Sequence, residues 1–409
     1  MPADMLPTVT YFATLLGFGI LIMHFTKRHN ISEAFFLLLV GLVFGPTVLN
    51  LVNVGSMGDI PVFLRTLALV VIAFASAFHL KLSTFKRVST ISLKLAFGGF
   101  FFAMITTALL AHSIFSLSWI GSFILGAVIG GSSSSAIVTF RGTLKEEKDT
   151  LDILLIESIF SDPLTVLVPL LLLGFLVGTI SHPTTAISQF WQLIAAGVGT
   201  GVVIGFAAVH VFRRTQKELS PILGFAIALI TYAAAGNIGG SGILAVAICA
   251  IILGNMKIPF KKDIGGFEDS LSIMLNISVF TLLGAQISLM AVPGILMKEL
   301  LLIGALIFII RPAFSVFALI NEQMDLKEIL LVSFTGPRGA ACAAIAAIPL
   351  SIAVKEGLTS FIPEAEIILI TAFMAVLLTI LSSTIFGLIF SKYKEDQEEE
   401  KEKEAKKSS

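Results

Sequence analysis

Residues 150–178 read TLDILLIESIFSDPLTVLVPLLLLGFLVG. The stretch is long enough to cross a bilayer, because a transmembrane helix needs about 20 mainly apolar residues. Glu157 and Asp162 nevertheless lie well inside it. A carboxylate at mid-bilayer costs about 2.5–3.5 kcal/mol on insertion scales, and such acids are usually functional. These two acids are therefore the first candidates for a functional site.

On a helix, Glu157, Ser158, Ser161 and Asp162 fall within an arc of about 140°, so four oxygen-bearing side chains share one face. Pro163 follows and removes a backbone donor, which is predicted to loosen the helix there. Such oxygen ligands suit hard monovalent cations such as Na⁺ or Li⁺, and a carboxylate in a cavity can hold either a proton or a metal ion. The pattern therefore predicts a cation/proton site.

A structural alternative is a buried salt bridge from one of these acids to Arg311 or Arg338, with no role in transport. Both arginines fall inside predicted helices. Two acids would need both arginines, so we favour a functional role for at least one acid.

The composition sets the class of the whole chain. Of its 409 residues, 56% are hydrophobic and 13% are charged, whereas soluble domains carry about 25% charge. This indicates an all-α polytopic membrane protein and excludes a soluble enzyme, a nucleic-acid binder and a disulfide scaffold. No cofactor motif is found, and the net charge is zero. Thirteen candidate spans are predicted, at about 6–26, 32–52, 60–80, 91–114, 118–140, 150–178, 190–212, 220–236, 240–256, 270–290, 295–319, 328–352 and 366–391.

Lysine and arginine predict the orientation. They concentrate on one set of alternate loops, and the other set holds only Arg65, Lys298 and Lys355. By the positive-inside rule the N-terminus is expected outside and the C-terminus in the cytoplasm, in the plasma membrane. The mixed-charge tail at 392–409 is expected to be solvated and disordered.

The two halves of the chain resemble each other. GLVFGP at 41–46 matches AIILGN at 250–255, FASAFHLKLS at 74–83 matches FTLLGAQISL at 280–289, and GGSSSS at 130–135 matches TGPRGA at 335–340. The three offsets are nearly equal, about half the chain. This predicts two inverted six-helix repeats, with broken helices 5 and 12 crossing near the midplane, as in many secondary transporters. Chance recurrence of small-residue helix motifs is the alternative.

Several motifs carry a family resemblance: ESIFSDPLTV at 157–166, GPRGAACAAIAAIPL at 336–350, GGSGILAVAICAIILGN at 239–255, GPTVLNL at 45–51 and RPAFSVF at 311–317. In order, they resemble the sodium/proton antiporters of the cation–proton antiporter superfamily, in the NhaP-type and eukaryotic exchanger branch. The resemblance implies a homodimer. It also implies a dimer domain, made of helices 1–3 (1–90) and 8–10 (219–292), and a core domain, made of helices 4–6 (91–180) and 11–13 (293–391). Helix 7 (181–218) would link the two domains, and the charged tail (392–409) would follow.

The resemblance also implies roles for residues. Asp162 matches the carrier of ion and proton. Glu157, Ser158 and Ser132 match groups that hold the cation, whereas Ser161, Ser133, Arg311 and Arg338 are supporting positions. One of these two arginines is expected to pair with Glu157; Arg338 is favoured, and Arg311 is the alternative. Two departures stand out: Ser161 replaces the family's asparagine, and Ser133 replaces an aspartate.

The leading hypothesis is exchange of Na⁺ or Li⁺ for a proton at the single aspartate Asp162, by alternating access and with electroneutral 1:1 stoichiometry. A potassium/proton exchanger of the same superfamily uses the same ligand types and remains open. An ion channel and a transport-incompetent scaffold are the alternatives from other classes.

Overall fold

The fold is described from a computed structural model, which covers residues 6–29, 32–46, 48–52, 54–133, 137, 148–180, 182–288, 292–322 and 324–408. Within these residues the regular structure is helical, and no strand occurs. The helices are α1 (Leu6–His29), α2 (Glu33–Phe44), α3 (Ile60–Phe78), α4 (Leu82–Phe115), α5 (Trp119–Val128), α6 (Lys148–Val177), α7 (Pro183–Phe212), α8 (Ser220–Asn237), α9 (Gly242–Asn255), α10 (Lys261–Ala285), α11 (292–319), α12 (Leu326–Phe334), α13 (Ala340–Lys355) and α14 (Ile362–Ser408).

Hydropathy confirms the membrane class. In the described part of the chain, eight helices are long and apolar enough to span a bilayer: α3, α4, α6, α7, α8, α10, α11 and α14. Shorter apolar helices lie at Phe12–Thr26, Glu33–Phe44, Trp119–Val128, Gly242–Asn255 and Ala340–Lys355. The count of thirteen spans and the inverted repeat remain predictions.

The helices pack in two groups. In the first, α2 and α3 both pack against α10, and α9 packs against α3 and α7. Gly41 and Gly284 lie where α2 crosses α10, and each faces the backbone of the other helix so closely that a Cβ would collide with it. In the second group, α6 packs against α5 and α13, and α14 packs against α5, α11 and α12. The division into a dimer domain and a mobile core domain is still a prediction.

Four local features position the site. A π-helical turn interrupts α4 at Lys94–Gly99, and another interrupts α11 at Leu306–Ile310. α6 continues without a break through Pro163, although this proline cannot donate to the carbonyl of Ile159. α12 begins with a capping box formed by Asp325 and Glu328. It ends at Phe334, just before the predicted interruption.

The tail differs from expectation. We predicted disorder for 392–409, but α14 continues as helix to Ser408. The sequence EEEKEKEAKK at 398–407 places glutamates and lysines three and four residues apart, a spacing that stabilises helices by about 0.2–0.5 kcal/mol per pair.

Candidate cation-binding site

Two unwound segments meet beside α6. The first follows the end of α5 at Val128, and the second comprises residues 335–339 between α12 and α13. The backbone N–H of Ser133 donates to the carbonyl of Pro337 at 2.9 Å. This contact shows that the two interruptions meet, whereas their predicted crossing near the midplane remains a prediction. Within the fifth predicted span, residues 134–136, which include Ser134 and Ser135, and residues 138–140 lie outside the described part of the chain.

Glu157 of α6 is held by Arg311 of α11. Nη1 of Arg311 donates to Oε1 at 2.9 Å, and Nη2 donates to Oε2 at 3.1 Å. Both side chains are largely buried, with 13% of the Arg311 side chain and 4% of the Glu157 side chain exposed. The expected pairing of Glu157 with Arg338 is therefore wrong. Arg311 reaches the acid because α11 brings the guanidinium alongside α6.

The same guanidinium also holds the second unwound segment. Nη2 of Arg311 donates to the carbonyl of Thr335 at 3.2 Å. The guanidinium lies so close to Gly336 that any Cβ at that position would overlap it. Gly336 is thus required for the close contact with Arg311 as well as for the unwound backbone. Through its hydrogen bonds, Arg311 links α6 to the unwound residues 335–339.

Ser132 and Ser161 join the first unwound segment to α6. The Ser132 hydroxyl donates to Oε1 of Glu157 at 3.1 Å and lies 3.3 Å from the Ser161 hydroxyl. The Ser161 hydroxyl accepts from the Ser132 N–H at 3.3 Å, and lies 3.2 Å from the Ser132 carbonyl, to which it can donate. Both residues are buried. The sequence placed these side chains at one site, and the structure brings them together.

Arg338 lies in the core without a carboxylate at ion-pair distance among the described residues. It is 1% exposed. The guanidinium Nε donates to the carbonyl of Ile129 at 2.6 Å, and Nη1 donates to the carbonyl of Gly336 at 3.0 Å. The backbone N–H of Arg338 donates to the Thr379 hydroxyl at 2.8 Å. Carbonyls that both unwound segments leave free therefore bind this guanidinium.

A small polar cavity lies at the centre of these contacts. Its volume is about 20 Å³, enough for one water-sized occupant. Its polar lining is formed by Ser132, Glu157, Ser161, Arg311, Ser315 and Arg338. The π turn of α4 supplies the apolar wall through Leu95, Ala96 and Gly99.

The surroundings of Asp162 and Ser158 differ from those of Glu157. Asp162 is partly buried and lies within electrostatic reach of Cys342 in α13, as Arg338 also does. It is not among the described residues that line the cavity. The Ser158 hydroxyl donates to the Leu155 carbonyl of its own helix at 2.8 Å. The roles predicted for these two residues, and for Ser133, remain predictions.

Sequence reasoning missed two buried acids. Glu268 in α10 and Glu299 in α11 are both fully buried, whereas the sequence analysis singles out Glu157 and Asp162 alone among the acids. The Thr371 hydroxyl of α14 donates to Oε1 of Glu299 at 2.8 Å. The signal of Glu268 is hidden because α10 begins at Lys261 and not near 270, so the predicted span leaves its first turns in a loop.

Arg65 was also misplaced. We counted it among the loop cations, but it is buried in α3, and its Nη2 donates to Oε1 of Gln286 at 2.8 Å. One of the few exceptions to the cation asymmetry is thus a residue of the packed interior, and the loops on that side are even poorer in cations.

The arrangement matches a known family. A model of the transmembrane sodium/hydrogen exchanger domain matches residues 12–392. This chain belongs to the sodium/hydrogen exchanger family. As a member it is a membrane transporter of the antiporter class and not an enzyme.

Several antiporters are similar to this family member in sequence or in fold. The probable Na⁺/H⁺ antiporter 2 of Methanocaldococcus jannaschii is 27% identical over 398 residues, covering 90% of this chain and 93% of that protein. The K⁺/H⁺ antiporter NhaP of Alkalimonas amylolytica is 26% identical, but the match spans 59% of its length. The structure of the sodium proton antiporter MjNhaP1 from M. jannaschii superposes with a TM-score of 0.86 at 22% identity, covering 95% of this chain and 98% of that one. This likeness shows the fold.

The contacts between the Ser161 hydroxyl and Ser132 can be tested by mutation. Ser161→Ala removes the contacts to Ser132, so we expect a loss of roughly 1 kcal/mol of stability and a slower but persistent exchange. Thermal unfolding in detergent and the pH profile of exchange measure the two effects. Ser278→Ala is the matched control, because this buried hydroxyl of α10 donates to the Met274 carbonyl of its own helix and lies outside the proposed site. Complete inactivity of folded Ser161→Ala would make this hydroxyl an essential ligand.

Proposed function

We propose that this chain exchanges Na⁺ or Li⁺ for a proton by competition at Asp162, with alternating access and a 1:1 stoichiometry. The observation that carries the proposal is the contact between the two unwound segments beside the acidic face of α6, made by the Ser133–Pro337 hydrogen bond of 2.9 Å. Unwound backbone at membrane depth is tolerated where it packs in protein or lines a cavity, and it commonly coordinates transported ions. Membership of the exchanger family supports the same reaction.

In this proposal, the ion pair of Glu157 and Arg311 stabilises the site and does not carry the ion. The bidentate ion pair cancels the charge of Glu157, and Ser132 occupies one of its oxygens as well. Glu157 is therefore better suited to holding the unwound segment than to exchanging its own proton. Ser132 and Ser158 remain the proposed hydroxyl ligands of the cation, next to the Asp162 carboxylate.

This division of roles supports electroneutral exchange. If Glu157 keeps its charge and its partner throughout the cycle, Asp162 is the one acid of this pair that gains and loses a proton. One monovalent cation then replaces one proton, and no net charge moves. The occluded carboxylate is neutralised in either loaded state, which lowers the cost of carrying it across the membrane.

A potassium/proton exchanger is the second candidate, because several relatives carry that name. The ligand types do not separate Na⁺ from K⁺. The selectivity must therefore be measured.

The test uses protein reconstituted in proteoliposomes containing a pH-sensitive dye. NaCl, LiCl and KCl are added in turn to an imposed pH gradient. We expect Na⁺ and Li⁺ to dissipate the gradient, and a membrane potential imposed with valinomycin to leave the sodium-driven rate unchanged. A response to K⁺ alone would favour the second candidate, and a strong dependence on voltage would show that a further group also cycles its proton. No response to any of the three salts would contradict cation/proton exchange.

The oligomeric state, the cellular membrane and the orientation of the chain are also proposals. We propose a homodimer in the plasma membrane, built through α1–α3 and α8–α10, with the N-terminus outside and the C-terminus in the cytoplasm. The family resemblance supports the dimer, and the clustering of cations on alternate loops supports the orientation. A role in pH homeostasis follows if protons are exchanged at the cell surface.

A further inference from the structure

Helix α5 is held by α14 at the end that lies away from the cation-binding site. Glu364, in the first turn of α14, accepts two hydrogen bonds from Ser118, the residue that precedes α5. The Ser118 N–H donates to Oε1 at 3.2 Å, and the Ser118 hydroxyl donates to Oε2 at 2.7 Å. The same hydroxyl accepts from the N–H of Gly121 at 3.1 Å and so caps the helix. The carboxylate therefore fixes the first turn of α5.

The carboxylate fits closely against this turn. A Cβ built on Gly121 would overlap Oε2 of Glu364, so the glycine leaves the space in which the carboxylate lies. A negative charge at the N-terminus of a helix is also stabilised by the helix dipole. Both the shape and the charge of Glu364 thus suit its position.

The opposite end of α5 is bound by a positive charge that is itself linked to α14. α5 has ten residues and is therefore about 15 Å long. The residue after its last turn, Ile129, accepts a hydrogen bond from Nε of Arg338 at 2.6 Å, and the N–H of Arg338 donates to Thr379 of α14 at 2.8 Å. α14 therefore holds α5 at both ends, through Glu364 at one end and through Arg338 at the other.

The position of α5 determines the position of Ser132. This serine follows Ile129 after two glycines. Its hydroxyl donates to Glu157 of α6 at 3.1 Å and lies 3.3 Å from the Ser161 hydroxyl. A displacement of about 0.5 Å away from α6 would break both hydrogen bonds. A shift of α5 would therefore be felt at the site.

We propose that Glu364 is a positioning residue for cation binding: it fixes the N-terminus of α5 and thereby keeps Ser132 within reach of α6. This inference rests on the proposed function, in which Ser132 is a ligand of the cation. Glu364 does not touch the cation, so its loss weakens cation binding and leaves the maximal rate nearly unchanged. A merely structural cap would instead lower the amount of folded protein without a change in the apparent KM for Na⁺.

The first test measures sodium-driven exchange by Glu364→Ala in proteoliposomes, normalised to folded protein. We expect the apparent KM for Na⁺ to rise several-fold, with a maximal rate close to that of wild type. Glu364→Gln keeps one acceptor oxygen and should lie between the two. Gly121→Ala displaces the carboxylate without removing it, so it should raise the KM as well. Glu366→Ala is the matched control, because Glu366 is exposed on the same helix, and should follow wild type.

Hydrogen–deuterium exchange in detergent, without Na⁺ or Li⁺, supplies a readout that needs no transport. We expect Glu364→Ala to exchange faster at 118–122 and also at 129–133, where the N–H groups of Ser132 and Ser133 are hydrogen-bonded. Should Glu364→Ala not fold, Gly121→Ala is measured by the same criteria.

Two results would overturn the proposal: faster deuterium exchange confined to 118–122, or an unchanged apparent KM in a folded variant that lacks the contact. Absence of exchange by wild type with every cation would contradict the proposed function instead. The deuterium measurement would then still decide whether Glu364 positions Ser132, so the two failures are distinct.

Discussion

Asp162→Asn is expected to abolish cation-driven proton movement while the protein still folds. An amide is close in shape to the carboxyl group, but it cannot trade a proton for a metal ion at any working pH. The measurement is dye-reported exchange in proteoliposomes with NaCl and LiCl, with thermal unfolding and size-exclusion chromatography to confirm the fold. The loss should be essentially complete.

Asp152→Asn is the matched control for this variant. It makes the same chemical change in the same helix, at a partly exposed carboxylate that pairs with Arg87 at 3.2 Å. Exposed pairs contribute only about 0–1 kcal/mol, so exchange should stay near the wild-type rate. Substantial exchange by Asp162→Asn would show that the carrier is another group, with Glu157 the first to examine.

Glu157 and Arg311 are expected to be the most costly pair to break. Removal of one partner leaves the other charge buried and uncompensated, which costs about 3–5 kcal/mol. Glu157→Gln and Arg311→Ala should each lower the unfolding temperature strongly. The double variant should lose less than the sum, because the second change removes the orphaned charge.

A second double-mutant cycle, of Glu157 with Arg338, provides the comparison. Arg338 bonds to carbonyls and not to Glu157, so the coupling between Glu157→Gln and Arg338→Ala should be smaller than that between Glu157→Gln and Arg311→Ala. A coupling with Arg338 as large as that with Arg311 would contradict the pairing described here. Simple additivity for Glu157 and Arg311 would mean that their bidentate contact adds nothing to stability.

The sequence was most informative where local chemistry determines the backbone. Gly336, Pro337 and Gly339 disfavour a helix, and residues 335–339 are unwound. The shared face of Glu157 and Ser161 follows from helical periodicity alone, and both line the cavity. Such features depend on residues close in the chain.

Contacts between distant segments were harder to predict. Arg311 and Arg338 are both inside predicted helices, and periodicity cannot tell which of them reaches Glu157. The choice depends on how α11 packs beside α6 and on the closeness of the guanidinium to Gly336. Ile129 and Gly336, whose carbonyls bind Arg338, carry no side-chain signal for this contact at all.

The buried acids show a further limit. A hydropathy window places helix ends at changes of composition, but the polar first turns of α10 are helical and packed against other helices. Glu268 was therefore counted as a loop residue, although it is completely buried. An acid within two turns of a predicted end needs the tertiary structure before its environment can be assigned.

The most direct test of the central claim is the apparent KM for Na⁺ as a function of pH, with equal pH on both sides of the proteoliposome membrane. If Na⁺ and a proton compete for the single carboxylate of Asp162, the apparent KM should rise on the acidic side by up to about tenfold per pH unit, as expected for the displacement of one proton. An apparent KM that stays constant across the acidic range, with only the maximal rate changing, would contradict competition at one carboxylate.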